Sequence, residues 1–67
     1  MYKWVILRSY NPNPTYPDDE IDAVLGGAAG GSYDDNGFNR NLTNYWRIGA
    51  ITSEGHVIAY SNQVSNR

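Results

Sequence analysis

The chain has 67 residues, a length at which a single hydrophobic core only just offsets the conformational entropy lost on folding. It contains no cysteine and one histidine, so disulfides, thiolate metal sites and multi-histidine metal sites are excluded. The net charge is −2, and the acidic groups concentrate in residues 18–35, which disfavours nucleic acid because phosphate binding requires clustered lysines and arginines. Self-association remains as a means of stabilising so small a chain, and we expect a homodimer or a larger homo-oligomer.

The first predicted element is a strand over residues 2–10, where aromatic and β-branched residues dominate. Apolar side chains fall on both of its faces, so we expect burial on both sides. The connector over residues 11–17 contains three prolines, which remove amide donors and favour extended geometry in the residue before each of them. It is predicted to be a rigid link without helix or central strand.

A short helix is predicted over residues 18–26. Acidic residues at its start suit the positive end of a helix dipole, and Ile21, Val24, Leu25 and Ala28 repeat at the spacing of one helical face. Gly26 or Gly27 would then end the helix in the left-handed conformation. Residues 27–41 follow as a glycine-rich loop, in which Asn36 and Gly37 predict a tight turn.

A β-hairpin is predicted over residues 44–64, because two strand-like runs are separated by Glu54 and Gly55. A two-residue loop there pairs Ser53 with His56. The same register sets four pairs of residues opposite each other: Ile51 with Ile58, Gly49 with Tyr60, Arg47 with Asn62, and Tyr45 with Val64. Tyr60 is then expected to cover the bare backbone of Gly49.

These elements predict a single α+β domain of order β-α-β-β, with a three-stranded sheet and one short helix. One helix covers only one face of such a sheet, so the second apolar face would be covered by another copy of the chain. No segment is long and apolar enough for a membrane span or a secretory signal, which favours a cytoplasmic protein without membrane contact.

The chain offers no catalytic or metal-binding motif, and no cofactor is expected. His56 lacks a nucleophile and an orienting acid at a motif spacing, the acidic residues lack the pattern of a calcium loop, and the glycine-rich run lacks the lysine of a phosphate loop. We therefore predict a small non-catalytic binding protein. A phage or mobile-element inhibitor that sequesters a host protein or a small anionic ligand such as a nucleotide is the favoured hypothesis.

Two groups of residues are predicted to bind the ligand or partner, because aromatic side chains and arginine dominate binding surfaces and asparagine adds hydrogen bonds. The first group lies on the predicted hairpin and the second follows the predicted turn. They are Arg47, Tyr45 and Asn62 in the hairpin, and Phe38, Asn39 and Arg40 after the turn.

An alternative function follows from residues 16–27. Glu20, Ile21 and Val24 before Gly26 and Gly27 resemble the double-glycine leader motif of bacteriocin and related exported peptide precursors. The resemblance implies that a transporter-linked peptidase cuts after Gly27 and removes residues 1–27.

Overall fold

A computed structural model describes residues 3–25, 35 and 37–67. In this part of the chain five β-strands form one antiparallel sheet: β1 (Lys3–Ser9), β2 (Glu20–Leu25), β3 (Tyr45–Ile51), β4 (Val57–Tyr60) and β5 (Val64–Ser65). The strand order is β2-β1-β3-β4, and the short β5 pairs with the other end of β3. β1 falls within the strand expected over residues 2–10.

The expected helix is wrong, and with it the α+β class and the three-stranded sheet. Residues 20–25, which were predicted as helix, form β2 and pair antiparallel with β1, from Lys3 opposite Leu25 to Leu7 opposite Glu20. The architecture of the described residues is therefore all-β.

Two features explain why this segment is a strand. Its apolar residues fit a helical period, but a run of only six residues also fits the alternation of a strand, so periodicity alone does not decide. Upstream, Thr15 and Asp19 close a turn: the Asp19 amide donates to the Thr15 carbonyl at 2.9 Å, and the Thr15 amide donates to Asp19 Oδ2 at 2.8 Å. This turn directs β2 back along the free edge of β1.

The hairpin between β3 and β4 has a three-residue loop where two residues were expected. The Thr52 amide donates to the His56 carbonyl, and Gly55 adopts a φ of 87°, as in hairpins in which a turn is followed by a left-handed residue. Ile51 consequently lies opposite Val57, so the expected pair with Ile58 is wrong. A bulge after this pair restores the expected pairing of Gly49 with Tyr60.

Beyond Tyr60 the expected register fails again, because the ladder is interrupted at residues 61–63. Ser61 caps β4, accepting at its Oγ from the Ile48 amide at 2.8 Å and donating its own amide to the Ile48 carbonyl at 2.7 Å. The chain then rejoins β3 as β5, with Tyr45 opposite Ser65 and Trp46 opposite Val64. The predicted pairs of Tyr45 with Val64 and of Arg47 with Asn62 are not formed.

The sheet has two distinct faces, because directly paired residues of antiparallel strands project to the same side. We call one the core face. It carries the buried residues Val5, Leu7 and Ile51, on which Tyr16, Ala23 and Tyr60 pack. We call the opposite side the Trp46 face, which is formed in β1 and β3 by Trp4, Ile6, Arg8, Trp46, Ile48 and Ala50.

The proline-rich connector covers the core face in the place expected for the helix. Pro14 is fully buried, and Tyr16 packs on the core and donates its amide to the Tyr60 hydroxyl at 3.2 Å. The connector thus forms the second layer on the core face, where a helix was expected. Within the described residues, no helix has the length and apolar character needed to cross a membrane.

Candidate functional site

The two predicted groups of binding residues lie on opposite faces of the sheet. Arg47 pairs with Leu7 and therefore belongs to the core face, as does Tyr45, which pairs with Ser9. Phe38 contacts Trp46 on the other face. The six residues consequently do not converge on one site.

Arg47 is engaged within the chain. Its guanidinium carbon lies 3.7 Å from the centroid of the Tyr60 ring, and its Nε donates to the Pro14 carbonyl at 2.6 Å. These contacts connect the proline-rich connector to the hairpin on the core face. They also orient the Arg47 guanidinium toward Tyr60 and Pro14 of the same chain. Tyr45 is half-buried, and Asn62 is exposed in the interruption between β4 and β5.

Asp35 organises the second group on the Trp46 face. Its Oδ2 accepts from Trp46 Nε1 at 3.0 Å and from the Arg8 guanidinium at 2.5 Å, while its Oδ1 accepts from the Gly37 amide at 3.0 Å. Three donors therefore converge on one carboxylate. The contacts hold the chain near residue 37 against β1 and β3.

The environment of Asp35 favours its ionised form. Burial raises its pKa, but the hydrogen bonds from Trp46, Gly37 and Arg8, together with the positive charge of Arg8, lower the pKa by more. The pKa of Asp35 consequently lies below its ordinary value. At neutral pH the pair of Asp35 and Arg8 is a neutral unit at the edge of the Trp46 face.

Phe38 and Arg40 extend this arrangement outward as a stack. The Phe38 ring meets the Trp46 ring edge-on, with centroids 5.0 Å apart, and the Arg40 guanidinium lies 4.6 Å from the Phe38 centroid. Arg40 is exposed, so the stack ends in a solvent-accessible positive charge. Asn39, between them in the sequence, stabilises the loop, because its backbone carbonyl accepts a 2.8 Å hydrogen bond from the side-chain amide of the buried Asn44.

Exposed apolar side chains continue the same surface. Val64, directly opposite Trp46, is 62% exposed, and Ile48 is 40% exposed. In the edge strand β2, Val24 pairs with Trp4 on this same face and is 44% exposed. The Trp46 face is buried at Ile6, which is 5% exposed, and at Ala50, which is 8% exposed. Elsewhere it presents the rings of Trp46 and Phe38, the Arg40 guanidinium and the exposed aliphatic groups, whereas the core face is covered by the connector.

A shallow, open depression of about 220 Å³ is lined by Arg8, Ser9, Tyr10 and Asp19, none of which was predicted to bind a ligand. The Asp19 carboxylate in its wall disfavours an anion. Across the described ranges, no cluster of three or more histidine or acidic side chains could hold a metal ion.

Comparisons with protein-family models, with curated proteins and with solved structures gave no match to this chain.

Sequence reasoning missed the central role of Asp35 and the contributions of Arg8, Trp46 and Val64. In the sequence, Asp35 was considered only as one of the acidic residues that lack the pattern of a calcium loop. An aspartate two residues before Gly37 has the spacing of an Asx turn, and this local signal could have identified its contact with the Gly37 amide. The long-range contacts with Arg8 and Trp46 had no local signal.

Proposed function

We propose that the chain is a small non-catalytic binding protein that binds another protein through the Trp46 face. The observation that carries the proposal is the stack of Arg40, Phe38 and Trp46 continuing into the exposed side chains of Val64 and Ile48. Contiguous exposed apolar surface on a small protein is typical of an interaction site. Tryptophan and arginine are also enriched among the residues that contribute most to binding.

The chemistry of the surface favours a partner with an apolar patch bordered by a carboxylate. Val64 and Ile48 would bury against the apolar part, and Trp46 and Phe38 supply rigid aromatic area at a low entropic cost. Arg40 would pair with the carboxylate. Its stacking on Phe38 orients the planar guanidinium that such pairing uses.

A protein partner is better supported than a nucleotide or another small anion. Small-molecule sites are concave and bring a few polar groups together. Here Arg8 is neutralised by Asp35, Arg47 is held on the opposite face by Tyr60 and Pro14, and Arg40 lies on an open surface. The three arginines do not converge on a cavity.

The leader hypothesis is disfavoured by the position of the first two strands. A cut after Gly27 would remove β1, which lies between β2 and β3 and contributes Val5 and Leu7 to the core. The remaining chain would lose most of its buried apolar groups. We therefore propose the intact chain as the functional form, with a cytoplasmic location as part of the same proposal.

The proposal is tested by comparative capture from a lysate of the source cells. Immobilised wild-type protein is compared with Val64→Lys, which places a charge on the Trp46 face, and with Ser53→Lys, which adds the same charge at the exposed hairpin loop. We expect one protein to be retained by wild type and Ser53→Lys and lost with Val64→Lys. Equal retention by all three, or stabilisation of the protein by nucleotides in a thermal-shift assay with no protein retained, would contradict the proposal.

A further inference from the structure

The two outer strands of the sheet differ in how they are protected. β2 and β4 form the edges of the order β2-β1-β3-β4, and neither has a second partner strand within the described part of the chain. An edge strand presents unpaired backbone groups to solvent, and charged side chains or proline commonly protect such edges from pairing with other chains.

β4 has no charged residue and no proline, and its remaining protection is its length of four residues, Val57–Tyr60, and the bulge in its pairing with β3. The Ile58 side chain is 56% exposed. The Ser61 amide points toward β3, since it donates to the Ile48 carbonyl at 2.7 Å. Because successive amides alternate in direction along a strand, the Tyr60 amide points away from β3 toward the open edge.

β2, in contrast, carries its own negative charges. Glu20 and Asp22 lie within the strand, and Asp18 and Asp19 directly precede it. Two copies of β2 side by side would bring these carboxylates well within about 8 Å of each other, where salt does not screen their repulsion effectively. Pairing of two chains through β2 is therefore opposed by charge, and pairing through β4 is not.

We infer that a second copy of this chain pairs antiparallel with β4 across a two-fold axis, forming a continuous sheet through two subunits. The strand is self-complementary in this arrangement. The bulge adds one residue to β4 between Val57 and Ala59, and the hydrogen bonds of the neighbouring His56 and Ser61 backbones are made to β3, so the backbone groups of both Val57 and Tyr60 point to the open edge. Centred between Ile58 and Ala59, the pairing therefore places Val57 opposite Tyr60 of the second copy and Ile58 opposite its Ala59, and every pair is uncharged. The contact is distinct from the Trp46 face and leaves that face accessible.

A strand of only four residues buries less surface than a permanent dimer requires, so the association should be weak and concentration-dependent. It is measured by sedimentation velocity on the full chain, from about 10 µM to about 500 µM. We expect the apparent mass to rise from the chain mass of 7.5 kDa toward twice that value. A wild-type chain that stays monomeric over this range would overturn the inference.

Two variants locate the contact. Ile58→Lys adds a charge to the β4 edge and should keep the folded chain monomeric, whereas Val24→Lys adds the same charge to β2 and should leave dimerisation unchanged. Circular dichroism reports whether each variant is folded. Dimerisation that survives in Ile58→Lys, or that is lost only in Val24→Lys, would contradict pairing through β4.

A measurement on the wild-type chain covers the case in which Ile58→Lys does not fold. Amide hydrogen exchange at Tyr60 should slow as the protein concentration rises, since its outward amide becomes hydrogen-bonded in the dimer. Exchange at Tyr60 that is independent of concentration while the mass doubles would place the contact elsewhere and overturn the inference.

Discussion

The carboxylate of Asp35 accepts a 3.0 Å hydrogen bond from the indole of Trp46, and the same oxygen accepts from Arg8. This relationship connects the chain after the glycine-rich segment to the two central strands. It also orients Trp46, whose ring makes a T-shaped contact with Phe38, and the Arg40 guanidinium lies over the Phe38 ring. The geometry of the proposed binding face therefore depends on one partly buried carboxylate.

Asp35→Asn should destabilise the chain by about 1–3 kcal/mol at pH 7, because the charged acceptor of the Arg8 and Trp46 hydrogen bonds is lost. Since the folded state lowers the pKa of Asp35, its contribution to stability is complete well above the ordinary aspartate pKa of about 3.9. The contribution is lost as the pH falls through the lowered pKa of the folded state. Urea denaturation at several pH values measures this difference.

The control for that series is Asp18→Asn, which removes one negative charge from an exposed turn position. It should change the free energy of unfolding by no more than about 0.5 kcal/mol. A difference between wild type and Asp35→Asn that stays constant down to acidic pH would show that the Asp35 charge does not stabilise the fold.

Arg47→Lys should lower stability by about 1–2 kcal/mol, because lysine has neither the planar group that stacks on Tyr60 nor the Nε that donates to Pro14. Capture of the partner should be unchanged, since Arg47 lies on the core face. Thermal unfolding and the capture assay test the two parts, with the exposed Arg67→Lys as the matched substitution. Loss of capture by a stably folded Arg47→Lys would restore Arg47 as a binding residue.

Gly49→Ala should destabilise the sheet by about 1–3 kcal/mol. A methyl group at Gly49 would lie 3.1 Å from Val5 Cγ2 and 3.5 Å from the Tyr60 ring, and the fully buried Val5 has little room to move. Gly37→Ala is the control, because among the described residues its methyl group would meet Asp35 Oδ1 at an ordinary 3.7 Å. Equal stability of the two variants in denaturant titrations would contradict close packing at Gly49.

Short-range signals in the sequence predicted part of this fold. The strand at residues 2–10 was recognisable from its composition, and the pairing of Gly49 with Tyr60 was predicted correctly. That pairing survived because the extra residue in the Ser53–Gly55 loop is compensated by the bulge at the register shift between Ala50 and Ile51. Loop length and bulge position depend on backbone conformation and tertiary packing, which the residue pattern does not specify.

The helix prediction failed for a reason that is also tertiary. Residues 20–25 suit either period, and the available edge of β1 together with the Thr15 and Asp19 turn favours the strand. The binding residues were predicted from their residue type alone. This criterion selected Phe38 and Arg40, which lie in the exposed stack, but it also selected Arg47, which lies on the core face. The register of β1 with β3 places Trp46 and Arg47 on opposite faces, and the Phe38 contacts with Trp46 and Arg40 place Arg40 on the Trp46 face.

Arg40→Glu should weaken binding of the captured protein about 10-fold or more, because reversal of a charge at an interface places like charges together. The stability of the free chain should change little, since Arg40 is exposed. Ser53→Glu also makes the net charge more negative, at the exposed hairpin loop, and should bind as wild type. Affinities that fall equally in both variants would indicate a general effect of net charge.

Site-specific photo-crosslinking in the source cells tests most directly whether the Trp46 face contacts the partner. A photoreactive phenylalanine analogue replaces either Ile48, on that face, or Ser53, in the exposed hairpin loop. We predict that the captured protein is crosslinked through position 48 and not through position 53. Crosslinking through position 53 alone, or none at position 48 while capture persists, would contradict binding through the Trp46 face.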